Sequence, residues 1–128
     1  MSHFSQIKTQ IRNLQSLKAA LTDLGHEWKA GPCEVRGYQG LTATADVAIA
    51  QDNGYDIGFR WNGVEYELVT DLQYWNQMGS VDRFLKRISQ RYAYHTVMTA
   101  GREGGFQVAE EQKNADGSIR LVLQRWNG

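Results

Sequence analysis

Tyr55-Asp56-Ile57-Gly58-Phe59-Arg60-Trp61-Asn62-Gly63-Val64-Glu65-Tyr66-Glu67-Leu68 is the stretch that decides the fold. Side chains of an extended strand alternate between its two faces. Tyr55, Ile57, Phe59 and Trp61 therefore share one face, and Asp56, Gly58 and Arg60 share the other. Asn62-Gly63 then reads as a hairpin turn with positive φ at both central residues, and Val64, Tyr66 and Leu68 carry the apolar face on across it. Two antiparallel strands with one apolar face require a covering layer.

Upstream, residues 42–51 read as another strand, joined to the first by a turn at Asp52-Asn53-Gly54. A shorter strand is expected at 34–37, after a chain break at Gly31-Pro32. Near the N-terminus, Ser5, Ile7, Thr9 and Ile11 alternate with polar residues as in a half-buried strand. Asn13 is placed to cap a helix whose stripe is Leu14, Leu17, Leu21 and Leu24, with Gly25 at its end.

Downstream, Ser80 caps a second helix expected to run to about Thr99, with Asp82 in the first turn. Gly101 to Gly105 would reset the chain. Residues 106–113 and 118–126 then form a last hairpin across Asn114-Ala115-Asp116-Gly117. Hairpins separated by helices, without β-α-β alternation, define an α+β fold. The expectation is a mostly antiparallel sheet with two helices packed on one face, in the order strand, helix, strands, helix, strands.

The 128 residues make one domain of ordinary size, long enough to bury a core without staples. Fourteen Lys and Arg balance fourteen Asp and Glu, which removes the global electrostatic argument for nucleic acid or an anionic membrane surface. Cys33 is the single cysteine, so neither an intramolecular disulfide nor a cysteine metal cluster can form. The first residues lack the pattern of a secretory signal, and no apolar run approaches the roughly 20 residues of a membrane span. One domain in a reducing cytoplasmic setting is the expectation.

The second helix carries the candidate sites. With an advance of about 100° per residue, Val81, Phe84, Leu85, Ile88, Tyr92 and His95 fall in one arc, facing the core. Arg83, Lys86, Arg87, Gln90, Arg91 and Tyr94 fall in the opposite arc, facing outward. Arg83, Arg87, Arg91 and Tyr94 thus form a basic stripe ending in an aromatic, suited to an acidic partner, against the plainer view of a solvated helix face. His95 either donates a ring nitrogen to a backbone carbonyl or works in a cleft, where it would need an orienting carboxylate. A pocket between the second helix and the sheet, lined by Arg36, Tyr92 and His95, is the alternative site. Arg36-Gly37-Tyr38-Gln39-Gly40 reads as a sharp strand connection rather than a phosphate loop, and Gly58 as a place where another group approaches the sheet closely. His3 and His26 stand at no ligand spacing from His95, so no metal site is indicated. No nucleophile elbow, paired catalytic carboxylates or dinucleotide fingerprint appears, and no cofactor is implied.

Several segments taken together resemble one family. They are Met1-Ser2-His3-Phe4-Ser5-Gln6-Ile7-Lys8-Thr9, Leu21-Thr22-Asp23-Leu24-Gly25, Arg36-Gly37-Tyr38, Gly54-Tyr55-Asp56-Ile57-Gly58-Phe59-Arg60, Tyr66-Glu67-Leu68-Val69, Gln90-Arg91-Tyr92-Ala93-Tyr94-His95, and Gly105-Phe106 with Glu110-Glu111. The chain is similar along its whole length to the hypothetical chloroplast reading frame thirty-five group, domain of unknown function twelve fifty-seven. That resemblance implies a cyanobacterial cytosol or a plastid stroma and a part in photosynthetic housekeeping. It carries over no activity and no catalytic residue. The expected function is therefore a non-enzymatic protein-binding module in assembly or regulation of a larger complex, with a small-molecule binder or enzyme around His95 as the alternative. Sheet edges that could pair leave a homo-oligomer open.

Overall fold

The computed structural model describes residues 4–125. His3, and Trp126 at the end of the expected last strand, lie outside them. The described elements are β1 (Ser5–Ile11), α1 (Leu14–Asp23), β2 (Trp28–Arg36), β3 (Thr42–Ala50), β4 (Asp56–Trp61), β5 (Tyr66–Thr70), α2 (Val81–Glu103), β6 (Phe106–Lys113) and β7 (Ile119–Arg125). Short 3-10 turns stand at Tyr38–Gly40 and Leu72–Tyr74. The fold is α+β, and every strand pairing is antiparallel.

The strands form two sheets rather than one. Five follow the order β1-β5-β4-β3-β2, and β6 pairs only with β7 in a separate ribbon. Ile57 and Phe59 of β4 turn toward the helices, as their alternation required. They are fully buried with Val47, Leu68, Leu17, Leu21 and Ile88, with Ile11, Ile49 and Phe84 closing the cluster. Asn13 Oδ1 accepts from Ser16 N, and Ser80 Oγ from Arg83 N, so both caps form as their residue types dictate.

The other face of the sheet is covered by its own strands. Gly31-Pro32 does not end the chain's extension. It lies inside β2, where the register with β3 slips between Ala30 and Cys33. Proline lacks a donor, but an edge strand with a bulge tolerates that loss. Beyond the bulge, β2 reaches over β4: a Cβ on Gly58 would stand 2.3 Å from Val35 Cγ2 and 2.9 Å from Ala45 Cβ. Gly37 in turn lies under the ring of Phe4, which brings the two ends of the strand order together. Cys33, Val35, Ala45 and Ala48 form this second core.

Two further expectations change. The Asn62-Gly63 turn spans 62–65, not two residues: Asn62 Oδ1 accepts from the N–H groups of Val64 and Glu65, and Gly63 is the residue there with positive φ. An asparagine side chain that mimics a backbone turn competes with the tight hairpin, and it leaves Val64 exposed. α2 continues past Thr99 to Glu103 because Gly101 is buried under Leu123 and Phe106, so the ribbon packs on the helix's last turns.

Candidate functional site

α2 is fixed to the body at two successive turns. The Tyr92 hydroxyl accepts from the N–H groups of Arg12 and Asn13, both at 3.1 Å, and so locks the helix to the β1–α1 corner. Beside it, a single oxygen of Asp23, at the end of α1, accepts from Arg91 Nε at 3.1 Å and Nη2 at 2.7 Å. His95 Nε2 stands 2.5 Å from the same atom. Burial alone would raise the Asp23 carboxyl, but the hydrogen bonds and charges of Arg91 and His95 hold it below its ordinary value of 3.8.

This seam corrects two orientations. Arg91, expected to look outward, and His95, expected in the core, both face α1. Positions i and i+4 lie only about 40° apart on an α-helix, so a division into two arcs separated neighbours at its boundary. The predicted trio of Arg36, Tyr92 and His95 is not gathered in one pocket. Arg36 stands on the far side of the sheet, where its N and Nε donate to Asp56 Oδ2 and its Nη2 to Oδ1, all at 2.8 Å. That bidentate pair ties the end of β2 to β4, and it raises the Arg36 pKa through the hydrogen bonds and charge of Asp56.

The basic stripe does line a concavity. Arg83, Lys86, Arg87, Gln90 and Arg91 form one wall of a groove of about 500 Å³. Lys113, Ala115, Asp116, Gly117 and Ile119 of the ribbon form the other, and Leu24 also lines it. Gln90 Nε2 donates to the Asp116 carbonyl at 3.3 Å and so anchors the ribbon turn to the helix. The Asp116 carboxylate is engaged by Ser118, whose Oγ donates at 2.6 Å and whose N donates at 2.9 Å. These bonds lower its pKa and keep it ionised. With Arg91 held by Asp23, Arg83, Lys86, Arg87 and Lys113 remain as the groove's cations against that one carboxylate. Tyr94 is not in the lining. Its ring lies under the Arg91 guanidinium at 4.3 Å, and its hydroxyl is 3.5 Å from Glu111 Oε2. His95 and Tyr92 do not line it either.

Next to the groove lies a smaller hollow of about 80 Å³, lined by Leu24, His26, Gln77, Met78, Phe84 and Arg87. Its floor is aromatic: Phe84 meets His26 and Trp75 edge-on, with ring centroids 5.3 and 5.0 Å away. Burial, with Arg87 nearby, lowers the His26 pKa from its ordinary 6.5 and favours the neutral ring. Met78 is 89% exposed on the rim.

Sequence reasoning missed Asp23, Lys113, the hollow, and a stack of Tyr55, Tyr74 and Tyr38. In that stack the outer rings lie 4.3 and 5.4 Å from Tyr74, each tilted by 17°. A signal existed for Asp23 alone. A carboxylate in the last turn of a helix opposes the helix dipole and calls for a cation from elsewhere. Among the described residues no group of three His, Cys, Asp or Glu could hold a metal ion, and no helix is long and apolar enough to cross a membrane.

Fold and site together define an α+β chain that presents a basic groove between a long helix and a two-stranded ribbon. Its family follows from comparison. Residues 20–122 match the family model described as "Protein of unknown function (DUF1257)", and the chain belongs to that family. It is 47% identical over 126 residues to "Uncharacterized protein ycf35" of Guillardia theta, covering 98% of each chain. It is 44% identical to the protein of that name in Cyanophora paradoxa over 98% of each chain, and 42% identical to that in Pyropia yezoensis over 99% of each. No solved structure matches the chain.

Proposed function

We propose that this protein is a non-enzymatic binding module that takes an acidic segment of another protein in the groove between α2 and the β6–β7 ribbon. Its role would be assembly or regulation of a larger complex in a cyanobacterial cytosol or plastid stroma. One observation carries the reading: a chain with no net charge concentrates Arg83, Lys86, Arg87 and Lys113 around one concavity. Complementary charge steers association and fixes register, and arginine forks match carboxylates bidentately. The groove's two walls come from a long helix and a ribbon anchored to it, so the helix cations are held in place rather than spread on a mobile tail.

The test is charge reversal. Arg83 and Arg87 are exposed, so Arg83→Glu with Arg87→Glu leaves the core untouched. The double variant is expected to lose partners that co-purify with the native chain, and binding by the native chain should weaken as salt is raised. A double variant that retains every partner with unchanged affinity would sink the proposal.

A further inference from the structure

Groove and hollow share Leu24 and Arg87, so they form one continuous surface with two chemistries. On one side of Arg87 the lining is cationic. On the other it is Phe84, Leu24, the flank of His26 and the thioether of Met78. Phe84 belongs to the main core, so the hollow's floor is rigid. Met78 has the opposite character, an unbranched and almost fully exposed side chain on the loop before α2. Exposed methionines re-pack around an incoming apolar group at little cost.

We infer that the acidic segment bound in the groove carries one apolar anchor side chain that enters the hollow between Met78 and Phe84. This rests on the binding-module reading and adds the partner's pattern: carboxylates that meet Arg83, Lys86 and Lys113, and an aliphatic residue next to them that passes Arg87. Charge complementarity selects the occupant, since a groove of cations facing one engaged carboxylate disfavours a basic segment. The hollow is small beside the groove, about 80 Å³ against about 500 Å³, which favours a single aliphatic side chain as the anchor. Each element supplies what the other lacks. Exposed charge pairs contribute little affinity by themselves, whereas a single desolvated anchor contributes much of it and sets the register.

Two synthetic peptides test this, one of glutamates with a single leucine and its counterpart with alanine in that place, read by fluorescence anisotropy against the full chain. The leucine peptide is expected to bind about tenfold tighter, as burial of the extra aliphatic carbons predicts. Met78→Ser, a change at an exposed position, should reduce that preference toward unity while the alanine peptide binds as before. Arg83→Glu with Lys86→Glu should weaken both peptides by tenfold or more. Equal affinity of the two peptides for the native chain would overturn the anchor and leave the acidic-segment reading standing. If neither peptide binds, or a short single-stranded RNA binds more tightly than both, the acidic-segment reading falls and the anchor falls with it.

Discussion

The five-stranded sheet and the β6–β7 ribbon are both antiparallel, but they are held in different ways. In the sheet, Ile57, Phe59 and Leu68 are fully buried between α1, α2 and the strands. In the ribbon no residue is fully buried: Phe106, Val108, Ile119, Leu121 and Val122 are partly covered, and the other residues of the two strands are exposed. A two-stranded ribbon is marginal by itself, so this one depends on the body that carries it. The basic groove lies where the two regions meet. Its helix wall is part of the well-packed body, and its ribbon wall is the more yielding one. A site built this way keeps part of its charge fixed and can adjust the rest around a partner.

The sharpest way to break the comparison is to remove the body's centre. Phe59→Ala should cost about 3–5 kcal/mol, the range for truncating a buried aromatic, and should unfold body and ribbon together in urea. Leu121→Ala should instead speed hydrogen exchange in the ribbon and leave β4 amides protected. If Phe59→Ala left the urea midpoint unchanged, the ranking of the two regions would be wrong.

A smaller effect is expected on the sheet's self-covered face. Gly58→Ala places a methyl against Val35 and Ala45, and overpacking of this kind costs roughly 1–3 kcal/mol. The compensating change Val35→Ala should recover part of that loss, and a Gly58→Ala protein as stable as the native chain would mean the strands do not close over β4.

The smallest effect is expected at the seam. Asp23→Asn should destabilise by less than about 1 kcal/mol, because the pair is partly exposed and screened. The sign of its pH dependence is fixed. The folded-state pKa of Asp23 is lowered, so its contribution is present above the ordinary 3.8 and is lost as pH falls through the folded value. The difference between native and Asp23→Asn urea midpoints should therefore shrink on acidification from about pH 7 to about pH 3. A gap that widens instead would contradict the seam's electrostatics.

Much of the fold was legible because the signals were local. The alternation of Ile57 and Phe59 set their face, Asn13 and Ser80 set the helix starts, and Gly25 set a helix end. The candidate site was only half legible. Arg83 and Arg87 were found from helical spacing, but Lys113 reaches them only through the ribbon. Periodicity placed Tyr94 outward and His95 in the core, whereas the structure sets Tyr94 under the Arg91 guanidinium and His95 against Asp23. Asp23 lies 72 residues from His95, and no local pattern connects the two.

By itself, the sequence determined what depends on neighbouring residues: most element types, the helix caps, the apolar stripe of α2 and the even balance of charge. Tertiary structure alone decided that β2 bends over β4, that the last hairpin leaves the sheet, and that Arg91 and His95 converge on Asp23. It also decided that cations from two elements face one another across a groove. Periodicity fixes the direction of a side chain relative to its own helix or strand, whereas a contact depends on where a distant segment is packed. That packing is set by the burial of Phe59, Ile88 and Leu17 in one shared core, a property of the whole chain.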